Sequence, residues 1–335
     1  MSTKKKALLL LLTATFIWGV SSPINRYALQ SMHPWPFSAF RYFFGALALL
    51  PLAIRWGHRQ APAQYFYQKV GRFLWLKAGL TLGFLLALGT GLQMFGLSVT
   101  TASKSGFITS LYVPLVAIFV FVLGQLPRGK VWFGLAICVV GLLFIGNQGE
   151  ENGFNWGDAL TLVADLVWAT HMLFMGYFAV RVNTWRLVAS QAGVCFLLCL
   201  FMANATGTMC TWEEFWSTLP ELVWGVFSVS LAYVCQAMAQ INTPTTTTAI
   251  TLQFQPVLGA VCGVLFLNEP VTGGLIFGAI LLISGALVAQ RAEDPVKLTK
   301  EHKHYKGICA ARVAAAVLVA TICGLSLLLT YPKTF

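Results

Sequence analysis

The chain has 335 residues, of which 57% are hydrophobic and only 10% are charged, and its mean hydropathy is +0.73. A soluble domain carries about 25% charged residues, so this composition excludes a water-exposed globule and favours a polytopic membrane protein. The net charge of +11 would also suit a nucleic-acid partner. The placement of the basic residues, described below, distinguishes that alternative from basic loops at a membrane surface.

The first apolar stretch follows three lysines and runs from residue 7 to residue 29. It begins like a signal peptide, but no cleavage site of small residues follows a short apolar core, so we predict an uncleaved first span. Ten further stretches come close to the roughly 20 residues that cross a bilayer as a helix: 36–56, 74–97, 101–123, 129–147, 157–179, 185–204, 218–240, 245–267, 270–290 and 313–331. Barrel strands would alternate in hydrophobicity and be half as long, so these spans are predicted to be helices.

Lysine and arginine segregate to one side of the predicted membrane. With the N-terminus inside, the cytoplasmic segments hold Lys4, Lys5, Lys6, Arg55, Arg59, Lys69, Arg72, Lys77, Arg128, Lys130, Arg181, Arg186, Arg291, Lys297, Lys300, Lys303 and Lys306. The opposite loops hold Glu150, Glu151, Glu213 and Glu214, with Lys333 as their clear basic residue. This asymmetry accounts for the net charge without a nucleic-acid partner.

The chain contains a weak internal repeat. "TASKSGFITSLYVP" (101–114) aligns with "TPTTTTAITLQFQP" (243–256), two hydroxyl-rich entries into a span with proline at the same place. In the next span, "FG" is followed seven residues later by glycine in both copies, and Trp18 of span one matches Trp168 of span six. Five spans per half is an odd number, so the second half must enter the membrane inverted, as in many secondary transporters. We predict an all-α polytopic membrane protein of two inverted five-helix repeats, 1–148 and 149–292, followed by a basic loop and an extra C-terminal helix within 293–335.

Several of these segments resemble the EamA-type transporters of the drug/metabolite transporter superfamily. The resemblance covers residues 7–290 and rests on "FIWGVSSPINRYAL", "FRYFFGALALLPL", "TASKSGFITSLYVPL" and "FQPVLGAVCGVLFLNEPVTGGLIFGAILLISGALV". It implies ten helices around a central cavity and transport of small metabolites, often export of amino-acid-like compounds. Two departures are Gln255 before Pro256, where the family commonly has glutamate, and the eleventh span.

Two helical stripes mark candidate cavity residues. Thr15, Trp18, Ser22 and Asn25 follow one face of span one, and Asp165, Trp168, Met172 and Met175 follow the matching face of span six. Tryptophan and methionine also fill ordinary helix contacts. A carboxylate at bilayer depth costs about 3 kcal/mol on insertion scales. We therefore expect Asp165 to have an ion-pair partner or a functional role. His171 lies six residues from Asp165 and cannot share its face.

The predicted substrate cavity therefore combines residues from both halves: Trp18, Ser22, Asn25, Arg41, Lys104, Tyr112, Asp165, Trp168, Met172, Thr251 and Gln255. The roles of Arg26, Arg41 and Lys104 stay open. They could face the protein interior, where they would form a cationic vestibule or pair with Asp165 and Glu269. Alternatively, their long side chains could extend to the outer interface. The prolines of the two hydroxyl-rich stretches are expected to interrupt their helices near the cavity.

These patterns predict a secondary-active transporter in a bacterial cytoplasmic membrane, working by alternating access on a small-molecule substrate, with a proton or an exchanged metabolite as a further partner. A membrane-embedded enzyme and a non-transporting scaffold or receptor are the alternatives. Neither an intramembrane HExxH motif nor a GxxxxGK[ST] loop occurs, and the eight cysteines contain no CxxC pair, so no catalytic residue, metal or cofactor is predicted.

Overall fold

Every regular element in the described part of the computed structural model is a helix. The structure describes residues 3–57, 73–100, 102–122, 129–146, 155–267 and 271–292. The first half contains α1 (Thr3–Ala28), α2 (Pro34–Trp56), α3 (Leu74–Val99), α4 (Ala102–Thr109), α5 (Tyr112–Val122) and α6 (Gly129–Gly146). The second half contains α7 (Trp156–Ala179), α8 (Thr184–Ala205), α9 (Trp212–Ser217), α10 (Leu219–Val226), α11 (Ala232–Gln240), α12 (Thr245–Leu252), α13 (Gln255–Leu267) and α14 (Gly273–Ala292).

This architecture confirms the predicted all-α polytopic membrane protein. Seven helical stretches among the described residues are long and apolar enough to cross a bilayer. The other three predicted spans within residues 7–290 correspond to α6, to α12 with α13, and to α14. The predicted span 313–331 and the basic loop before it lie outside the described residues.

Local sequence sets where several helices begin. Asn155 caps α7, because its side chain accepts a hydrogen bond from the backbone N–H of Asp158 and the Asp158 carboxylate accepts one from the backbone of Asn155. Asn183 caps α8 in a similar way, and Pro34 opens α2, where a missing N–H leaves no helical bond unmade. These residues fix where the three helices begin along the chain.

Spans four and nine are each broken into two helices, as the prolines predict. Between α4 and α5 the chain turns at Ser110 and Leu111, shortly before Pro114, and between α12 and α13 it turns at Gln253 and Phe254, shortly before Pro256. Proline donates no backbone hydrogen bond and disfavours helical geometry in the residue before it. The two breaks fall at corresponding places in the two halves.

Span eight has a different irregularity. A π-helical segment, Phe227–Leu231, separates α10 from α11. Its counterpart in the first half, α3, is a continuous α-helix. Single π turns of this kind widen a helix locally and are frequent at functional sites.

The helices pack reciprocally across the two halves. Span one (α1) packs against span eight (α11) and span nine (α13), while span six (α7) packs against span three (α3) and span four (α4 and α5). Spans two and seven pack together, as do spans five and ten. If each span number is replaced by that of its counterpart in the other half, five places along, the contacts named above are recovered. A two-fold relation between the halves requires this pattern.

Glycines allow the close approach of α6 and α14. A methyl group added at Gly134 would lie 2.5 Å from the carbonyl oxygen of Gly285, and one added at Gly141 would lie 2.7 Å from that of Gly278. These are the glycines that matched in the sequence repeat. Small residues at such contacts let backbones meet directly, the usual way of packing helices in lipid.

Candidate functional site

A cavity lies at the centre of the described helices, where the two halves meet. Its volume is about 120 Å³. A water molecule takes up about 30 Å³ in the liquid, so the cavity has room for about four waters or one small molecule. The walls come from α1, α2, α3, α4, α5 and from α7, the π segment, α11, α12 and α13.

Aromatic side chains form the middle of the cavity wall. Trp18 and Trp168, the matched tryptophans of the two halves, both line it. The Trp18 indole N–H donates to the backbone carbonyl of Ser228 in the π segment over 3.0 Å, and its ring meets Tyr233 edge-on with centroids 4.9 Å apart. Trp168 packs against Gly89, where a methyl group would lie 3.2 Å from the indole ring. Both rings are thus held at fixed positions by the opposite half.

Arg41 enters the cavity from α2 and is 6% exposed. Its Nη1 donates to the Asn25 Oδ1 over 3.0 Å, and its guanidinium lies 5.5 Å from the ring centre of Phe37 and 5.3 Å from that of Tyr42. The side-chain stem passes over Gly225, where a methyl group would lie 2.9 Å from the arginine Cδ. The absence of a side chain at Gly225 therefore makes room for the arginine.

Hydroxyl and amide groups line much of the remaining cavity wall. Tyr42 and Thr90 share a hydrogen bond of 2.9 Å between their hydroxyls, and the Gln93 amide donates to the Thr109 hydroxyl over 3.1 Å. Ser22 also lines the cavity. The wall can exchange hydrogen bonds with a polar guest.

The two broken spans meet at the cavity. Tyr112 lines it from α5, and Gln255 and Pro256 line it from α13. A methyl group added at Gly106 of α4 would lie 3.8 Å from the Cα of Pro256, so the interrupted helices approach each other closely. Irregular backbone at membrane depth is tolerated where it borders such a cavity.

His171 lines the cavity although its sequence position made it look isolated. Its Nε2 lies 3.1 Å from the Gln191 Oε1, and its ring packs edge-on against Trp168 and Tyr233. Met172 lies beside it on the wall, with the Gln236 amide 3.7 Å from its sulfur. Sequence reasoning missed several polar residues of the cavity wall. Ser21 and His171 lie on the two striped helices but off the stripes, and the others lie on helices without a marked stripe: Tyr42, Thr90, Gln93, Ser105, Thr109, Ser228, Tyr233 and Gln236.

Lys104 does not line the cavity but forms an ion pair with Asp158, with 2.7 Å between Nζ and Oδ2. Asp158 lies at the start of α7, which packs against α4, whereas Asp165 is not a partner of Lys104. Glu269, the other predicted acidic partner, lies outside the described residues. Asp158 is fully buried and also accepts a hydrogen bond of 2.9 Å from the Thr100 hydroxyl. The pair joins the first half to the second beside the cavity.

Asp165 and Thr251 also lie outside the cavity lining. Asp165 is fully buried, and neither of its carboxyl oxygens has a hydrogen-bond partner among the described residues. The expected pairing of Asp165 with Arg41 or Lys104 is not seen, because Arg41 bonds to Asn25 and Lys104 to Asp158. The Thr251 hydroxyl donates to the backbone of Thr247. Eight of the predicted residues do line the cavity: Trp18, Ser22, Asn25, Arg41, Tyr112, Trp168, Met172 and Gln255.

Outside the spans, His33 precedes α2 and its ring nitrogen accepts from the backbone N–H of Trp35 over 3.4 Å. Burial lowers the pKa of His33, and the nearby Glu214 carboxylate raises it in part. His33 therefore belongs to the loop packing and not to the cavity.

Comparison with known proteins identifies related chains. The profile of the EamA-like transporter family matches residues 5–147 and 155–290. An uncharacterized transporter of Archaeoglobus fulgidus is 27% identical over 282 residues, covering 81% of this chain and 82% of its own. The threonine/homoserine exporter RhtA of Escherichia coli is 28% identical over 270 residues, covering 79% and 83%.

Two further comparisons bear on location and fold. The uncharacterized inner membrane transporter YedA of Escherichia coli is 27% identical over 154 residues, covering 46% of this chain and 47% of its own. A solved crystal structure that is 17% identical superposes with a TM-score of 0.66, covering 84% of this chain and 97% of that one. The latter likeness concerns the fold alone.

Proposed function

Because the chain belongs to the EamA-like transporter family, a family of multi-pass membrane proteins, we propose that it exports small polar metabolites, amino acids foremost, by secondary-active transport. The observation that carries this proposal is the cavity between the two halves, with matched tryptophans from each half on its wall. A site at the interface of inverted repeats can be reached from either side when one half rocks against the other.

The size and polarity of the cavity support a small polar substrate. A volume of about 120 Å³, roughly that of four waters in the liquid, suits a molecule of the size of threonine. Tryptophan faces hold apolar or cationic parts of a guest, and the surrounding hydroxyls and amides hold its polar parts. The relative named as a threonine/homoserine exporter suggests the first compounds to test.

The ion pair between Lys104 and Asp158 supports a mechanism with two access states. It ties α4 of the first half to α7 of the second half, at the end of each helix that the predicted topology puts on the outer side. Opening the cavity to that side requires the halves to separate there. We expect the pair to form in one state and to break in the other.

Asp165 supports a role for the proton in this cycle. It is fully buried, one helical turn from Trp168, and has no hydrogen-bond partner among the described residues. A carboxyl group without a fixed partner can take up and release a proton as its surroundings change between states. In the proposed cycle, Asp165 does not contact the substrate. Substrate binding changes its protonation through Trp168, which lines the cavity.

Transport by the purified chain tests the proposal. The protein is reconstituted in liposomes that are loaded with one labelled compound at a time: L-threonine, L-homoserine or one of the remaining protein amino acids. Efflux is measured with and without a pH gradient. We expect efflux above that of protein-free liposomes for at least one compound. Equal leakage from both kinds of liposome for every compound would refute amino-acid transport.

A further inference from the structure

Arg41 is a buried cation that no described side chain neutralises. It is 6% exposed and lines the cavity, yet no acidic side chain among the described residues forms an ion pair with it. The cost of burying an ion is recovered only when an opposite charge and further hydrogen bonds accompany it. The arrangement leaves an opposite charge to be supplied from the cavity.

The groups that hold Arg41 are neutral. Asn25 accepts one hydrogen bond from Nη1, two aromatic rings lie near the guanidinium, and Nε has no hydrogen-bond partner among the described residues. These contacts fix the direction of the side chain while leaving donor groups unused. A guanidinium has five N–H donors in a planar fork, which matches the two oxygens of a carboxylate.

We propose, on the basis of the transport function above, that Arg41 is the receptor for the carboxylate of the substrate. Arg41 is the one permanently charged side chain among the described residues that line the cavity. A single positive charge matches a monoanion such as a carboxylate, whereas a phosphate dianion calls for more than one cation. The substrates are therefore small carboxylic acids, amino acids included.

Binding to the purified protein tests this inference separately from transport. Each protein amino acid and L-homoserine is compared with its own carboxamide, which keeps the shape but loses the negative charge. The apparent Kd comes from ligand-induced thermal stabilisation in detergent. We expect at least one acid to bind about 30-fold or more tightly than its amide, because loss of one partner from a buried charge pair has effects of that order.

Substitutions then locate the preference. Arg41→Gln should bring acid and amide within about threefold of each other, and Arg41→Lys should reduce the preference about tenfold because an ammonium cannot bind both oxygens in the same plane. Arg26→Gln is the matched control, since Arg26 lies on α1, donates to the backbone carbonyl of Ser98 over 2.6 Å and does not line the cavity. It should keep the full preference.

Three results would overturn the inference: no acid that binds more tightly than its amide, an unchanged preference in Arg41→Gln, or an equal loss in Arg26→Gln. If Arg41→Gln does not fold, Arg41→Lys decides, and an undiminished preference there overturns the inference. Acid-selective binding without transport in liposomes would refute the proposed function and leave the inference standing. Transport without acid-selective binding would overturn the inference about Arg41 and leave the proposed function standing.

Discussion

Breaking the ion pair between Lys104 and Asp158 should destabilise the protein in a way that depends on both partners. Asp158 is fully buried and Lys104 is 14% exposed. Removing one partner of a buried pair leaves an uncompensated charge and costs about 3–5 kcal/mol. The cost here should lie at or below the lower end of that range, because Asp158 keeps its bonds from Thr100 and Asn155 and stays near the positive end of the α7 dipole.

We therefore expect Lys104→Met and Asp158→Asn each to lower the free energy of unfolding by about 2–3 kcal/mol. The double variant should lose about 2–3 kcal/mol or less, no more than either single variant, because neither stranded charge remains. The difference from the sum of the single losses is a coupling free energy of at least about 2 kcal/mol. Salt should change it little, since the pair is mostly shielded from solvent.

Reversible unfolding in mixed detergent micelles measures these free energies, at low salt and at about 1 M salt. Lys77→Met serves as the control, because Lys77 is exposed on α3 and its loss should change stability by about 0.5 kcal/mol or less. Additive losses in the double variant, within about 0.5 kcal/mol, would refute the argument that these two charges stabilise each other.

Other predictions follow from the cavity and the helix contacts. Trp168→Ala should reduce transport at least about tenfold while the amount of folded protein falls less, as rates and expression measured side by side would show; normal transport would remove the indole from the site. Asp165→Asn should abolish the effect of a pH gradient on transport but retain exchange, and an unchanged pH dependence in liposomes would contradict the proposed proton role. Gly285→Ala should destabilise the protein by about 1–3 kcal/mol in the same unfolding assay, since its methyl group would lie 2.5 Å from the Gly134 carbonyl oxygen; wild-type stability would contradict that contact. Single cysteines introduced at positions 300 and 335 should react with an impermeant thiol reagent from opposite sides of the membrane, and labelling of both from outside would refute the eleven-span topology.

The spans were predictable from sequence because each is a continuous apolar run, and lipid leaves the backbone few alternatives to a helix. The predicted stretch 74–97, for example, corresponds to Leu74–Val99. The breaks were also predictable, because Pro114 and Pro256 act locally on the backbone. In both cases the cause lies within a few residues of its effect.

Side-chain partners depended on how the helices pack, which no stripe along a single helix reveals. Asp158 begins α7 and its carboxylate caps that helix, yet its partner Lys104 lies on another helix in the other half. His171 shares no face with Asp165, but the approach of α11 places it against Tyr233 on the cavity wall. The matched tryptophans were found because the repeat itself carries information between the halves.

The π-helical turn at Phe227–Leu231 has a consequence for the balance between the two proposed access states. If both halves were identical, exchanging their conformations would convert one state into the other, and the two would be equally populated without a ligand. The turn occurs in span eight and not in α3, and it presents the Ser228 carbonyl to Trp18. A feature confined to one half has different surroundings in the two states, so their energies differ. In the proposed alternating-access cycle, we therefore expect the resting protein to favour one side of the membrane even before any gradient is applied.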